Sequence, residues 1–196
     1  MHSINDYLRR IVGTLYAPGD SVNDMLRKLS SAVSNQRGGV LFTSSAIKNL
    51  GASSGSIVPT GVGSMVIPAN SVVSGSRYRI SAICKFNNLE TGDMNFLVYI
   101  GASEVAGASV SFNTVANVSL NFVVDISFLS AGAGGTCVVG ISLAPQNGVQ
   151  TIFLGNLIVP ATVNTTQAQT VDLRIQWDGP ETSTTHCSIL TFEKLL

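Results

Sequence analysis

The feature that most constrains the fold of this chain is a strict alternation of side chains over residues 118–128. Every second residue in that stretch is a large apolar one, and most of the residues between them are polar: the apolar set is Val118, Leu120, Phe122, Val124, Ile126 and Phe128. Successive side chains of a β-strand point to opposite faces of its sheet, so a period of two predicts a long strand with one buried face.

The same period recurs through the rest of the chain. It is clearest in 78–86, 94–100 and 171–178, and shorter candidate strands are 64–68, 108–112, 136–144, 151–154 and 187–193. Turn-forming Gly, Asn, Asp and Pro separate these segments, and no helical pattern lies between them. Short strands at this spacing predict a mostly β domain, an antiparallel sandwich or barrel of about eight strands.

The first part of the chain has a different period. Apolar residues from Ile4 to Leu15 and from Val22 to Val33 recur at the spacing of one helix face, and Pro18-Gly19 separates the two runs. We expect two short amphipathic helices, which at this length need a surface to pack against. The predicted organisation is a helical arm over 1–48, a Gly/Ser-rich linker over 49–63 and the β domain over 64–196.

Charge is scarce and unevenly placed. Charged residues make up 11% of the chain, with 11 bases and 11 acids. Residues 1–48 hold six of the bases and three of the acids, which leaves five bases and eight acids for the remainder. A neutral, weakly charged surface favours association with other protein subunits, and it gives no electrostatic reason to expect nucleic acid or an anionic membrane as a partner.

No pattern predicts a catalytic residue. The letters Gly51-Ala52-Ser53-Ser54-Gly55 match a nucleophile elbow, but that motif needs a strand before it and a helix after it. Paired acids of the kind that glycosidases use could be Glu90 with Asp93 or Asp178 with Glu181, and both pairs lie in predicted turns. Trp177 shares the phase of its apolar neighbours and is predicted to be a core residue. The chain is therefore predicted not to be an enzyme.

Metal and cofactor sites are not predicted either. His186 and Cys187 are adjacent, so on a strand their side chains would point to opposite faces. The three cysteines, Cys84, Cys137 and Cys187, are an odd number without framework spacing, which favours free buried thiols. The start of the chain lacks the apolar segment of a signal peptide, and no segment predicts a membrane span, so synthesis in the cytoplasm is expected.

Several segments of the β domain carry a resemblance to a known family. They are Val66-Ile67-Pro68-Ala69-Asn70-Ser71, Ser74 to Ala82, Phe96 to Gly101, Thr170 to Trp177 and Ile189 to Glu193. Together they resemble the jelly-roll domains of tailed-phage and related viral structural proteins, over roughly residues 64–194. The resemblance implies a jelly roll, commonly trimeric, that decorates a capsid or forms the head of a fibre, and it implies no catalytic residue.

The sequence therefore favours a capsid decoration, or cement, protein in the virion. We expect it to form a homotrimer and to bind the major capsid protein or another virion protein through its arm. The proposed arm contacts combine the apolar stripes with neighbouring bases: Ile4, Tyr7, Leu8, Ile11, Leu15, Met25, Leu26, Leu29, Arg9, Arg10, Arg27 and Lys28.

Other hypotheses remain open at this point. The main one is a receptor-binding head of a tail fibre or tail tip, in which exposed loops over 101–108 or 144–150 contact the host. A polysaccharide-degrading enzyme that uses one acid pair and a major capsid protein are two more.

Overall fold

A computed structural model describes residues 38–51, 55–59, 61–87, 92–112, 118–145, 160–178 and 184–195. These residues belong to one compact unit that begins at Gly38. The described residues form twelve strands: β1 (Gly39–Ser44), β2 (Lys48–Gly51), β3 (Gly55–Ser56), β4 (Met65–Ile67), β5 (Arg77–Asn87), β6 (Gly92–Ile100), β7 (Ser103–Phe112), β8 (Val118–Ser130), β9 (Gly135–Pro145), β10 (Ala161–Val163), β11 (Gln169–Asp178) and β12 (Thr184–Leu195).

The strands form two antiparallel sheets. Sheet A has the order β1-β12-β5-β8-β9-β10, with β2 also paired to β12. Sheet B has the order β3-β11-β6-β7, with β4 also paired to β11. The predicted antiparallel sandwich is thus confirmed, and the long alternating segment 118–128 lies in β8.

The pairs are nested along the chain. β6 pairs with β7 innermost, β5 pairs with β8 around it, β3 and β4 pair with β11 next, and β1 and β2 pair with β12 outermost. Successive nested pairs alternate between the two sheets. This is the arrangement that a rolled-up hairpin, the jelly roll, requires, and β9 and β10 extend sheet A beyond it.

The segment from 39 to 67 forms one edge of each sheet. β1 and β2 lie end to end along β12, and β3 and β4 lie end to end along β11. The end of the predicted helical arm therefore contains β1 and the first residue of β2, and the predicted linker 49–63 contains β3 and most of β2. The four strands β1 to β4 are two to six residues long and show no clear alternation. Their pairing with the long strands β11 and β12 therefore accounts for their conformation.

Apolar side chains of both sheets meet in one core. In β8 the buried residues are the alternating apolar set, with the intervening residues half-buried on the outer face. Phe122 of sheet A lies against Phe96 of sheet B, with ring centroids 5.0 Å apart. The rings of Phe86 of sheet A and Trp177 of sheet B form a T-shaped pair with centroids 6.0 Å apart, and Trp177 is buried. The prediction that Trp177 is a core residue is therefore confirmed.

The prediction of three free thiols is wrong for two of them. Cys84 in β5 and Cys187 in β12 are directly paired in register, with their Cα atoms 4.1 Å apart, and they form a disulfide. Cys137 is free and buried. The cysteines lie 103 residues apart in sequence, so only the pairing of the first and last long strands of sheet A brings them together.

The Pro68-Ala69-Asn70-Ser71 segment of the resemblance is a turn at one end of the sandwich. Asn70 has a φ of 57°, a left-handed conformation that Asn tolerates better than most residues. Its N–H donates to the Thr165 carbonyl oxygen at 2.9 Å, and Ser71 Oγ donates to the Pro68 carbonyl oxygen at 2.6 Å. The residue types in this segment are thus explained by backbone geometry.

The remaining sequence predictions fall partly outside the described residues. Residues 1–37 of the predicted arm, with every proposed arm contact, and the candidate strand 151–154 lie outside them, so these stay predictions. Among the residues that the structure does describe, no helix is long and apolar enough to cross a membrane.

Candidate functional site

The outer face of sheet B carries a connected set of polar side chains. We call it the Arg174 cluster, and it consists of Ser56, Tyr99, Glu104, Asp172 and Arg174. Alternation puts all but Ser56 on this face, because their strand neighbours Val171, Leu173, Val98 and Ile100 are buried in the core. The strand register then aligns Asp172 with Tyr99 and Tyr99 with Glu104 across β11, β6 and β7.

Asp172 is the buried member of the cluster. Its side chain is only 2% exposed although it belongs to the outer face. One carboxylate oxygen accepts a hydrogen bond from Ser56 Oγ at 2.5 Å, and the other accepts one from Arg174 Nε at 2.7 Å. A buried carboxylate is tolerated when it is paired in this way, so β3 and β11 together fix its position.

Arg174 lies over the ring of Tyr99. Its guanidinium carbon is 4.3 Å from the ring centroid, which is within the range of a cation–π contact, and its side chain is 43% exposed. The hydrogen bond from Arg174 to Asp172 raises the pKa of the guanidinium further above its ordinary value. The side chain is therefore a permanent, partly exposed cation that Asp172 and Tyr99 hold in place.

Tyr99 and Glu104 complete the cluster on the side of β7. Tyr99 Oη donates a hydrogen bond to Glu104 Oε2 at 3.2 Å. Desolvation raises the pKa of the Tyr99 hydroxyl, and the bond to Glu104 raises it further. Tyr99 thus stays protonated at neutral pH and keeps the Glu104 carboxylate close to the sheet.

A cleft adjoins the cluster at the edge of β7. Arg174, Leu97 and Gly107 share one cross-strand row, and a Cβ atom at Gly107 would lie 3.2 Å from Leu97 Cδ2 and 3.4 Å from Glu104 Oε1. From Glu104 and Gly107 a cleft of about 400 Å³ continues past the edge of β7 to residues 160–162. Leu97 and Glu104 therefore already occupy the space above Gly107, and a side chain at 107 would have to displace them.

The outer face of sheet A offers a contrasting Arg–Asp pair. Arg79 of β5 donates to Asp125 of β8 through Nε at 2.9 Å and through Nη2 at 3.1 Å. The hydrogen bond raises the pKa of Arg79, and both side chains are more than a third exposed. Arg79 therefore binds its carboxylate through two nitrogens, whereas Arg174 donates to Asp172 through Nε.

The residues considered as sites in the sequence analysis lie outside the Arg174 cluster, except for Glu104 in the predicted receptor loop. His186 and Cys187 do lie on opposite faces of β12: Cys187 is buried, and His186 Nδ1 contacts Asn49 Oδ1. The predicted receptor loop 101–108 is mainly strand β7, with only a tight turn at 101–102. Within the described ranges, no group of three or more His, Cys, Asp or Glu side chains could hold a metal ion.

Sequence reasoning missed the Arg174 cluster, although its signal was present. The outward phase of Asp172 and Arg174 follows from the alternation in 171–178. What the sequence lacks is the register that brings Ser56 and Tyr99 to them. Of the acid pairs considered earlier, only Asp93 has a described side chain, and it lies half-buried on the outer face of β6.

Comparison with known proteins gives structural likenesses only. No family model matches the chain, and no curated protein matches it. Among solved structures, the chain is similar to the CBM2 module of the evolved Dit of Lactobacillus casei BL23 phage J-1, with 8% identity, coverage of 80% of this chain and 96% of that one, and a TM-score of 0.31.

Enzymes are also among the similar structures. The alginate lyase from Alteromonas sp. 272 is 11% identical, with coverage of 62% of this chain and 72% of that one and a TM-score of 0.29. A glycosyl hydrolase family protein from Mycobacterium fortuitum is 10% identical, with coverage of 62% and 64% and a TM-score of 0.27. The prediction that the chain is not an enzyme is therefore wrong as an exclusion, although likenesses this weak assign no activity to it.

Proposed function

We propose that this chain is a structural protein of a virion, a capsid decoration protein that forms a homotrimer and attaches through its N-terminal arm. The observation that carries the proposal is the exposed apolar edge of sheet A. Val40 and Leu41 in β1 are 60% and 45% exposed, and Ile47, between β1 and β2, is 63% exposed. Val40, Leu41 and Ile47 belong to the last part of the predicted arm, which spans 1–48.

An apolar edge strand is a liability for a monomer. β1 and β2 pair with β12 on one side, and sheets usually protect such edges with charged side chains, Pro or a covering segment. Burial of apolar surface on association is favourable by about 25 cal/mol per Å². A virion partner that covers this edge would bury its apolar side chains, so the edge can serve as an attachment surface.

Charge distribution supports the trimer in the proposal. On the described strands, the outer face of sheet A carries three bases and two acids, whereas the outer face of sheet B carries three acids and one base. These residues are Arg77, Arg79, Lys85, Asp125 and Glu193 on sheet A, and Asp93, Glu104, Asp172 and Arg174 on sheet B. Opposite faces of opposite sign favour contact between unlike faces of neighbouring copies, which can close into a ring.

Binding to purified capsids that lack this protein tests the attachment. The full chain should bind and should raise the temperature at which the capsids release their contents. Residues 38–196 alone should bind much more weakly. A Leu8→Glu/Ile11→Glu variant, which breaks the apolar stripe, should also bind weakly, whereas the matched Arg9→Glu variant should be affected mainly at low salt. Equal binding of the full chain and residues 38–196 would refute the role of the arm.

The mass of the full chain in solution tests the trimer separately. Light scattering under dilute native conditions should give the mass of three chains, and added salt should shift the equilibrium toward smaller species if the unlike faces are in contact. A mass of one chain at every concentration would refute the trimer without affecting the attachment.

A second candidate is the receptor-binding head of a tail fibre or tail tip. The observation that favours it is the exposed, pre-ordered Arg174 cluster, since polar groups held in place on a rigid sheet suit recognition of an external ligand. A receptor-binding head should bind host cells and should leave capsid heat resistance unchanged. A decoration protein should do the reverse.

A further inference from the structure

We infer that one end of the sandwich is a further contact surface for the capsid shell, and that it meets an uncharged, partly apolar patch of the shell protein. We call this surface the neutral end. It consists of four connections between strands and one residue of β8: 68–76, 101–102, 131–134, 164–168 and Leu129. The inference rests on the proposed function, because it names where the body of a decoration protein touches the shell.

Strand register puts the four connections at the same end. β5 begins opposite the last part of β8, β6 ends opposite the first part of β11, and β10 ends opposite the first residue of β9. The connections 68–76 and 164–168 each run from one sheet to the other, so they join the ends of sheets A and B. The neutral end is therefore one surface to which both sheets contribute.

Hydrogen bonds between the connections hold this surface in place. Thr165 Oγ1 accepts a hydrogen bond from the Gly132 N–H at 2.8 Å, and the Thr165 carbonyl oxygen accepts one from the Asn70 N–H at 2.9 Å. Ser74 Oγ donates to the Leu129 carbonyl oxygen at 2.8 Å. Three of the four connections are thus tied to one another or to β8. A surface that is ordered in advance loses little conformational entropy when a partner covers it.

The neutral end carries no charge. None of the residues in the four connections is charged, whereas about a quarter to a third of a soluble surface usually is. Val73 is 56% exposed and Leu129 is 53% exposed, and four alanines are exposed beside them: Ala69, Ala102, Ala131 and Ala133. Depletion of charge around exposed apolar side chains is typical of the centre of a protein interface. A charged partner surface would lose its water here without gaining an ion pair, so the matching patch is uncharged.

The neutral end adjoins the edge that the proposed function assigns to the shell partner. β1 begins there: Gly39 lies opposite Lys194, and Lys194 Nζ donates to the Ser71 carbonyl oxygen at 3.1 Å in the longest of the four connections. The exposed side chains of Val40 and Leu41 follow Gly39 directly. Copies that touch through the outer faces of their sheets leave the strand ends uncovered, so the proposed trimer and this contact with the shell are compatible.

The test is binding of full-chain variants to purified capsids that lack this protein. Val73→Glu and Val73→Lys should each weaken binding about tenfold or more, because either charge is covered by the shell without a partner of opposite sign. Val73→Ala should cause a smaller loss than either charged variant. The matched control is Val62→Glu, since Val62 is 57% exposed but lies between β3 and β4, outside the neutral end. It should change binding by less than about twofold.

A second position separates the contact from an effect on folding. Leu129→Glu changes a different strand end, and it should weaken capsid binding in the same way as Val73→Glu. Both side chains are more than half exposed, so each variant should keep a thermal midpoint close to that of the parent chain. Light scattering should also give both variants the same mass as the parent.

Three results would overturn the inference and leave attachment through the arm intact. The first is capsid binding at the parent level by both Val73→Glu and Leu129→Glu. The second is weaker binding by one of the two charged Val73 variants with stronger binding by the other, which would indicate a charged partner surface. The third is a smaller mass of both Glu variants in light scattering, which would make this end a contact between copies. A parent chain that does not bind capsids at all would refute the proposed function, and this inference with it.

Discussion

Replacement of the aromatic pair that joins the two sheets tests the sandwich itself. Phe122 of β8 and Phe96 of β6 are essentially fully buried, and their rings are 5.0 Å apart at an angle of 30°. Phe→Ala in a core removes the transfer free energy of the ring and leaves a cavity, so each single substitution should lower the free energy of unfolding by about 3–5 kcal/mol. The double variant should lose less than the sum, by about 0.5–1.5 kcal/mol, because the ring-to-ring contact can be lost only once.

Unfolding in guanidinium chloride, followed by the fluorescence of Trp177, measures these free energies. The matched control is Leu129→Ala in the same strand as Phe122, since Leu129 is exposed and its loss should cost less than about 0.5 kcal/mol. If Phe122→Ala cost no more than Leu129→Ala, or if the two Phe substitutions were strictly additive, the two sheets would not pack as described.

The remaining predictions concern the disulfide, the buried thiol and the buried carboxylate. Reduction of Cys84–Cys187 should lower the free energy of unfolding by about 4–5 kcal/mol, because the bond closes a loop of 103 residues in the unfolded chain, and an unchanged denaturation midpoint with dithiothreitol would contradict this. Burial raises the pKa of Cys137 from 9.0 to about 11, so its contribution to stability should be complete below pH 9 and lost as the pH rises through 11. Mass spectrometry after iodoacetamide treatment at pH 9 should find Cys137 unmodified in the native chain and alkylated in the unfolded one; native labelling would refute its burial. Ser56→Ala should cost about 1–3 kcal/mol in thermal or chemical unfolding, because one oxygen of buried Asp172 loses its donor, and no loss would mean that this hydrogen bond contributes nothing.

Much of the fold could be predicted from alternation alone. The segment 118–128 was predicted as a strand and lies in β8, and 171–178 lies in β11 with Trp177 in the core. These segments succeed because each buries one face, so the side-chain period and the structure must agree.

The parts that sequence reasoning missed depend on pairing over long distances. β2 and β3 lie in a Gly/Ser-rich stretch with no period of two, and only the neighbouring strands β12 and β11 supply their hydrogen-bonding partners. The same holds for the disulfide. The Arg174 cluster joins Ser56, Tyr99 and Asp172 across three strands, so local pattern indicates which residues face outward and cannot indicate which of them meet.

The position of this chain in a reconstruction of the intact virion tests the central claim most directly. The proposal predicts three copies of the sandwich around an axis on the outer surface of the capsid shell, with the apolar edge at Val40 and Leu41 and the arm against the shell. Density for the chain only at the tail or a fibre tip, or its absence from the virion, would contradict the assignment as a decoration protein.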